Sequence, residues 1–162
     1  ELEFQTSPAI CIDSLISINK KVGQPQAALG ILTYAQNNLP VSVKEDWLAK
    51  LGHWEAALVR YRRQQEVDPE NMRAVIGRMR CHDALGEWGD VVELCNSSWP
   101  VLDDGVGSKR KAATMAARAT WSMGDWDSFE RFVHFTEQEV AEGAYLRAVL
   151  ALRQDDLVLC GR

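Results

Sequence analysis

The sequence is short of nearly every pattern that marks an enzyme, a membrane protein or a nucleic-acid binder. Its 3 histidines, His53, His82 and His134, fall in no HExxH, and its 4 cysteines, Cys11, Cys81, Cys95 and Cys160, form no CxxC. Zinc-ligand spacing is therefore missing, and reduced, mostly buried thiols are expected. Cys81 and His82 are adjacent, but neighbours on a helix point about 100° apart and cannot share an ion. The absence of GxGxxG, a Walker glycine loop and GxSxG removes the local signatures of phosphate cradling and serine hydrolysis. Asp103-Asp104 and Asp155-Asp156 fall in expected loops or turns and read as solvated surface. No apolar run approaches the roughly 18 residues that cross a bilayer, and Glu1-Leu2-Glu3-Phe4 is not a basic-then-apolar leader. A net charge of −5 argues against a nucleic-acid binder, which needs a basic face. Alternating apolar and polar runs bounded by turns are missing too, so no strand is expected. The residues assign no catalytic, cofactor or metal site.

What is present is a soluble globular composition, 46% hydrophobic and 25% charged over 162 residues, enough for one ordinary domain with a core. The organising stretch is Leu51 to Asn71. Gly52 ends one helix; Trp54, Ala57, Leu58 and Tyr61 then follow at i, i+3, i+4 and i+7, an apolar stripe lying on a core. The stripe stops at Asp68-Pro69, with Asp68 expected as the N-cap and Pro69 as the first residue of the next helix. The opening returns in Gly86-Glu87-Trp88 and Gly124-Asp125-Trp126. Trp54 and Trp88 are 34 residues apart, and Trp88 and Trp126 are 38 apart. Such a period, with a turn glycine, an aromatic two residues on and a closing Asp-Pro, is similar to a tetratricopeptide helix pair. Gln64 and Trp99-Pro100 depart from that pattern.

In chain order, Ser7-Pro8 opens a helix with Ile12, Leu15, Ile16 and Asn19 on one side. The turn at Gly23 leads through Pro25 to a second helix, with Ala28, Ile31, Leu32 and Ala35 inward. Ser42-Val43-Lys44-Glu45 has capping-box spacing, predicting a helix from about Val43 to Leu51. Met72, Val75, Ile76 and Met79, and then Trp88, Val91, Val92, Cys95 and Trp99, form two further stripes. A loop is expected over residues 100–108, followed by an Ala-rich helix carrying Ala112, Ala113, Ala116, Ala117 and Ala119. Asp125 to Thr136 is its partner, with Trp126, Phe129 and Val133 inward. Val140 to Arg153 is a last full helix, and residues 155–162 read as the cut start of another. The expectation is an all-α, tetratricopeptide-like solenoid of about nine antiparallel helices. The helix pairs fall at 8–39, 43–67, 70–99, 109–136 and 140–162, the last incomplete. Trp54, Trp88 and Trp126 are each expected to wedge beside an inter-helix turn.

Several ordered motifs add a resemblance that periodicity does not supply: Ser14-Leu15-Ile16-Ser17-Ile18-Asn19, Gly77-Arg78-Met79-Arg80-Cys81, Ala84-Leu85-Gly86-Glu87-Trp88-Gly89, Met123-Gly124-Asp125-Trp126-Asp127, and the run from Gly143 to Leu152. Together they resemble successive segments of the FAT domain of target-of-rapamycin kinases, in the family's order and over nearly the whole chain. These are very large serine/threonine kinases of the phosphatidylinositol-3-kinase-related type. The resemblance implies a tetratricopeptide-like portion of the helical clasp that curls around the kinase domain. It implies a non-catalytic scaffold for growth and nutrient signalling, with ATP and magnesium confined to the parent's kinase domain. The implied partners are the rest of the FAT and kinase domains and other subunits of the complex. The implied location is cytoplasmic, or peripheral to endomembranes through that complex.

The alternative is a free-standing tetratricopeptide adaptor gripping a peptide carboxylate, for which Asn19, Lys44 and Arg73 are loose candidates without repeated spacing. A plain structural solenoid of an unrelated assembly is a third reading. Arg60, Arg62 and Arg63 read as a solvated face. Lys109, Arg110 and Lys111 would occupy the first turn of a helix starting near Ser108, where the macrodipole disfavours cations. Either that helix starts later, the preferred reading, or an acidic partner surface compensates. Leu2 and Phe4 at the front, and Leu157 and Leu159 at the back, are expected to seek more protein, since the chain reads as a fragment without polar end caps.

Overall fold

Each repeat begins with the same backbone device. The computed structural model describes residues 8–40, 42–102, 107–137 and 139–154. Within them Gly23, Gly52, Gly86 and Gly124 all have φ between 73° and 81°, the left-handed region open to a residue without Cβ. At Gly86 the glycine N–H donates to Asp83 O (3.2 Å) and the next N–H to His82 O (2.9 Å). Gly124 repeats this on Trp121 O and Thr120 O, and Gly52 on Ala49 O and Leu48 O. This paired closure satisfies carbonyls that a helix end leaves free. One residue separates each glycine from the next helix, so Pro25, Trp54, Trp88 and Trp126 become first residues of α2, α4, α6 and α8.

Among the described residues there are nine helices and no strand. They are α1 (Pro8–Lys21), α2 (Pro25–Asn38), α3 (Glu45–Lys50), α4 (Trp54–Val67), α5 (Met72–Leu85), α6 (Trp88–Ser98), α7 (Ser108–Met123), α8 (Trp126–Val133) and α9 (Ala141–Arg153). The chain divides within α4 into two compact units, residues 1–60 and 61–162.

In the first unit α1 packs on α2 and on α3. Ile12, Ile16, Ala28, Leu32, Ala35 and Trp47 are buried there. The fully buried Trp47 donates its indole N–H to Asp13 Oδ1 (2.9 Å), and Lys50 Nζ donates to the same oxygen (2.6 Å) and to Ser17 Oγ (2.8 Å). In the second unit α5, α7 and α9 stack as one wall, with α6 and α8 against it. Its core is Val75, Met79, Val91, Cys95, the alanines of α7, Phe129, Phe132, Val133 and Leu146. Alanines let these helices approach closely; Ala112, Ala113, Ala116, Ala117 and Ala119 are all fully buried.

Several expected boundaries are corrected. Asp68 is not the cap of α5, nor Pro69 its first residue: Asp68 O accepts from Asn71 N (3.1 Å), so both belong to a turn. The cap is Asn71, whose side chain accepts from Ala74 N at 3.0 Å. The Ser42–Glu45 capping box does not form, because Lys44 is extended and α3 starts at Glu45 without a side-chain cap bond. Helix α7 does begin at Ser108, placing Lys109, Arg110 and Lys111 in its first turn. Helix α8 stops at Val133, short of Thr136, whose hydroxyl donates to Val133 O at 2.7 Å. Leu15 is not inward; it is 46% exposed. The expectations for Leu2, Phe4 and residues 155–162, with Leu157, Leu159 and Cys160, lie outside the described residues.

Candidate interaction surfaces

The repeat residues are structural in position. Ala57 and Tyr61 are buried, while Trp54, Trp88 and Trp126 are only partly so. Trp126 meets Phe129 edge-on at 5.7 Å and carries the Arg153 guanidinium over its other side at 4.2 Å. Gly77 explains itself only in three dimensions, because a Cβ there would lie 2.5 Å from the buried Tyr61 ring. Gly143 is likewise pressed against the Glu137 carbonyl.

The groups with reactive chemistry are mostly spent. Burial pushes the Cys81 thiol up to about 11 and the Cys95 thiol up to about 12, so neither is a thiolate nucleophile at neutral pH. His82, read from sequence only beside Cys81, is buried with Nδ1 at 2.6 Å from Glu87 Oε2, and Asp90 completes a cluster of ligand-type atoms within 4.8 Å of one another. The signal for it was present, since Glu87 follows His82 across the Gly86 turn, just before α6. Arg78 already faces Asp90. Burial, then Arg62, pulls its guanidinium below the ordinary value, while Asp90 and Glu66 pull it back up. The cluster is thus a charge network with its own cation. Arg60, Arg62 and Arg63 are exposed, and Arg60 donates to Val43 O at 2.9 Å.

Two further grooves lie apart from that network. Between α1 and α2 runs an apolar groove of about 460 Å³, lined by Ile12, Leu15, Ala27, Ile31, Tyr34 and Leu39 among others, with Leu15 46% and Tyr34 61% exposed. On the wall of α5, α7 and α9 lies a groove of about 290 Å³ whose lining includes the charged Arg80, Arg110, Lys111, Arg118 and Glu142 beside Met115. Arg118 is held by Asp83 on α5 and by Glu142 Oε1 on α9 at 2.7 Å. Arg110 stands 3.9 Å from Glu137, and Lys109 lies over the Trp99 ring at 5.1 Å. The α7 cations are therefore partly compensated from within the chain. Of the loose carboxylate-clamp candidates, Asn19 donates to Leu15 O on its own helix at 2.8 Å and Lys44 lies over the Trp47 ring at 5.7 Å. None of Asn19, Lys44 and Arg73 lines either groove.

No protein-family model matches the chain. The serine/threonine-protein kinase TOR of Oryza sativa is 35% identical over 94% of this chain and 7% of its own length. The mTor kinase of Drosophila melanogaster is 36% identical over 89% of the chain, and TOR2 of Saccharomyces cerevisiae 31% over 96%, each over 6% of its own length. The chain is homologous to a segment of TOR kinases. It spans a small fraction of each of them, and the matched fraction takes in nearly all of α1 to α9. No described helix is long and apolar enough to cross a membrane.

Proposed function

We propose that this segment is a non-catalytic helical-repeat scaffold within a TOR-type serine/threonine kinase, part of the FAT clasp that braces the kinase domain. The observation that carries the reading is the extent of the match: almost the whole chain aligns with 6 to 7% of each kinase, and that stretch is a run of helix pairs. Helix pairs of this kind bury their stripes against neighbours and present long surfaces to other protein. The parent chain is then the kinase, and ATP and magnesium belong to its catalytic domain. Its other FAT repeats and the further subunits of a TOR complex are the partners, in a cytoplasmic setting or on endomembranes through that complex.

The peptide-adaptor reading gains nothing from the geometry, since two of its three candidate residues are engaged within their own elements. Calorimetric titration of the isolated chain with magnesium and ATP is expected to give no saturable heat, and saturable binding overturns the non-catalytic assignment. Removal of residues 8–154 from the parent kinase is expected to abolish phosphoryl transfer to a protein substrate. Full retained activity would overturn the bracing role.

A further inference from the structure

The geometry points to the groove on the α5–α7–α9 wall as a docking site for an extended acidic segment of a partner protein. The argument starts from which cations in it are already used. Arg118 bridges Asp83 and Glu142, so it is a strut that ties three helices together. Arg110 has Glu137 at 3.9 Å with both side chains more than half exposed, a separation and exposure that hold a pair only weakly. Arg80 on α5 and Lys111 on α7 line the same groove, are exposed, and have no ion-pair partner among the described residues. In a chain of net charge −5, the groove thus offers two unneutralised cations and a third that a better carboxylate could recruit. Thr114 and the buried Met115 line the same groove and carry no charge.

The size of the groove and its mixture of cations and acids select the occupant. A volume of about 290 Å³ is too small for a folded element and suits one extended strand of polypeptide. Crossing from α5 to α9 takes two interhelical spacings, roughly 16–20 Å, which about six extended residues span. A peptide can set its carboxylates opposite Arg80 and Lys111 and pass neutral residues over Asp83, Glu137 and Glu142. A nucleic-acid strand cannot, because its phosphates recur at every step and meet those acids. The inference goes beyond the scaffold reading and does not depend on the segment bracing a kinase domain.

The test uses the 162-residue chain and a fluorescently labelled peptide in which Glu alternates with Ser, slightly longer than that span, read by anisotropy at low salt. Saturable binding is expected, and Arg80→Glu with Lys111→Glu should weaken it by roughly tenfold or more, since two attractive contacts become repulsive. Lys20→Glu with Lys21→Glu, which reverses two exposed cations of α1 instead, should leave it unchanged. Circular dichroism of each variant checks that helicity is kept. Absence of saturable binding, equal weakening by both pairs of substitutions, no effect of the Arg80 and Lys111 pair, or displacement by an oligothymidylate at the peptide's own concentration would each overturn the proposal.

Discussion

At the scale of single residues, the glycine inside α5 is the most informative position. A helix-interior glycine costs about 0.5–1 kcal/mol relative to alanine, and here that loss is the condition for seating Tyr61, which is 2% exposed. Gly77→Ala should therefore destabilise the protein by about 1–3 kcal/mol, the cost of overpacking, where propensity alone would make it stabilising. Urea denaturation measures it, and pairing the change with Tyr61→Leu should recover part of the loss. The tryptophans divide in a way that periodicity did not show. Trp88, in the repeat, is only partly buried, whereas Trp47, outside it, is fully buried with its N–H on Asp13. If fully buried, Trp88 would cost about 3–5 kcal/mol on truncation to alanine. We expect that penalty at Trp47 and about 2 kcal/mol at Trp88, by the same denaturation analysis. Trp47 was illegible in the sequence because its environment is made by α1, more than thirty positions away.

At the scale of elements, helix ends were legible and helix starts were less so. The turn glycines announce themselves because only a residue without Cβ enters that backbone region at no cost. Starts depend on which of several polar residues reaches the free N–H groups, and Asp68, Ser42 and Asn71 all qualify by type. The turn geometry at Pro69 decides for Asn71. Of the two acids that directly follow a turn glycine, Asp125 caps, accepting from Ser128 N at 3.2 Å at the start of α8, while the longer Glu87 turns back to His82 and makes no cap bond. The Ser128 hydroxyl, and then its backbone N–H, hold the Asp125 carboxyl below its usual range. A lowered folded value means that the stabilisation is present above the unfolded carboxylate pKa of about 3.9 and fades as pH falls through the folded value. Asp125→Ala should cost about 1 kcal/mol at neutral pH, with the gap to the parent chain narrowing in acid below about pH 4. Asp125→Asn, which caps without titrating, should lack that acid dependence. Thermal melts across the acid range separate the three forms.

At the scale of the whole molecule, the question is what covers the apolar side of the first helix pair. Tetratricopeptide-like pairs bury one stripe between their two helices and a second against the adjoining pair. The inner stripe of α1 and α2, Ile12, Ile16, Ala28, Leu32 and Ala35, is buried. The groove that runs between the two helices is almost purely apolar in its lining, and Leu15 and Tyr34 within it are 46% and 61% exposed. An apolar groove left open to water in this way marks contact with more protein. In the parent kinase the proposed occupant is adjoining FAT structure; in the isolated chain the complementary apolar face available is another copy of the same groove. The isolated chain should therefore self-associate with rising concentration, and Leu15→Glu with Tyr34→Glu should shift it toward monomer without loss of helicity, because both side chains sit on the outer side of a pair whose inner stripe is untouched. Light scattering over a concentration series reads the difference. An unmodified chain that stays monodisperse and monomeric at high concentration would mean that this face needs no cover, and would remove it from the set of surfaces through which the segment holds its neighbours.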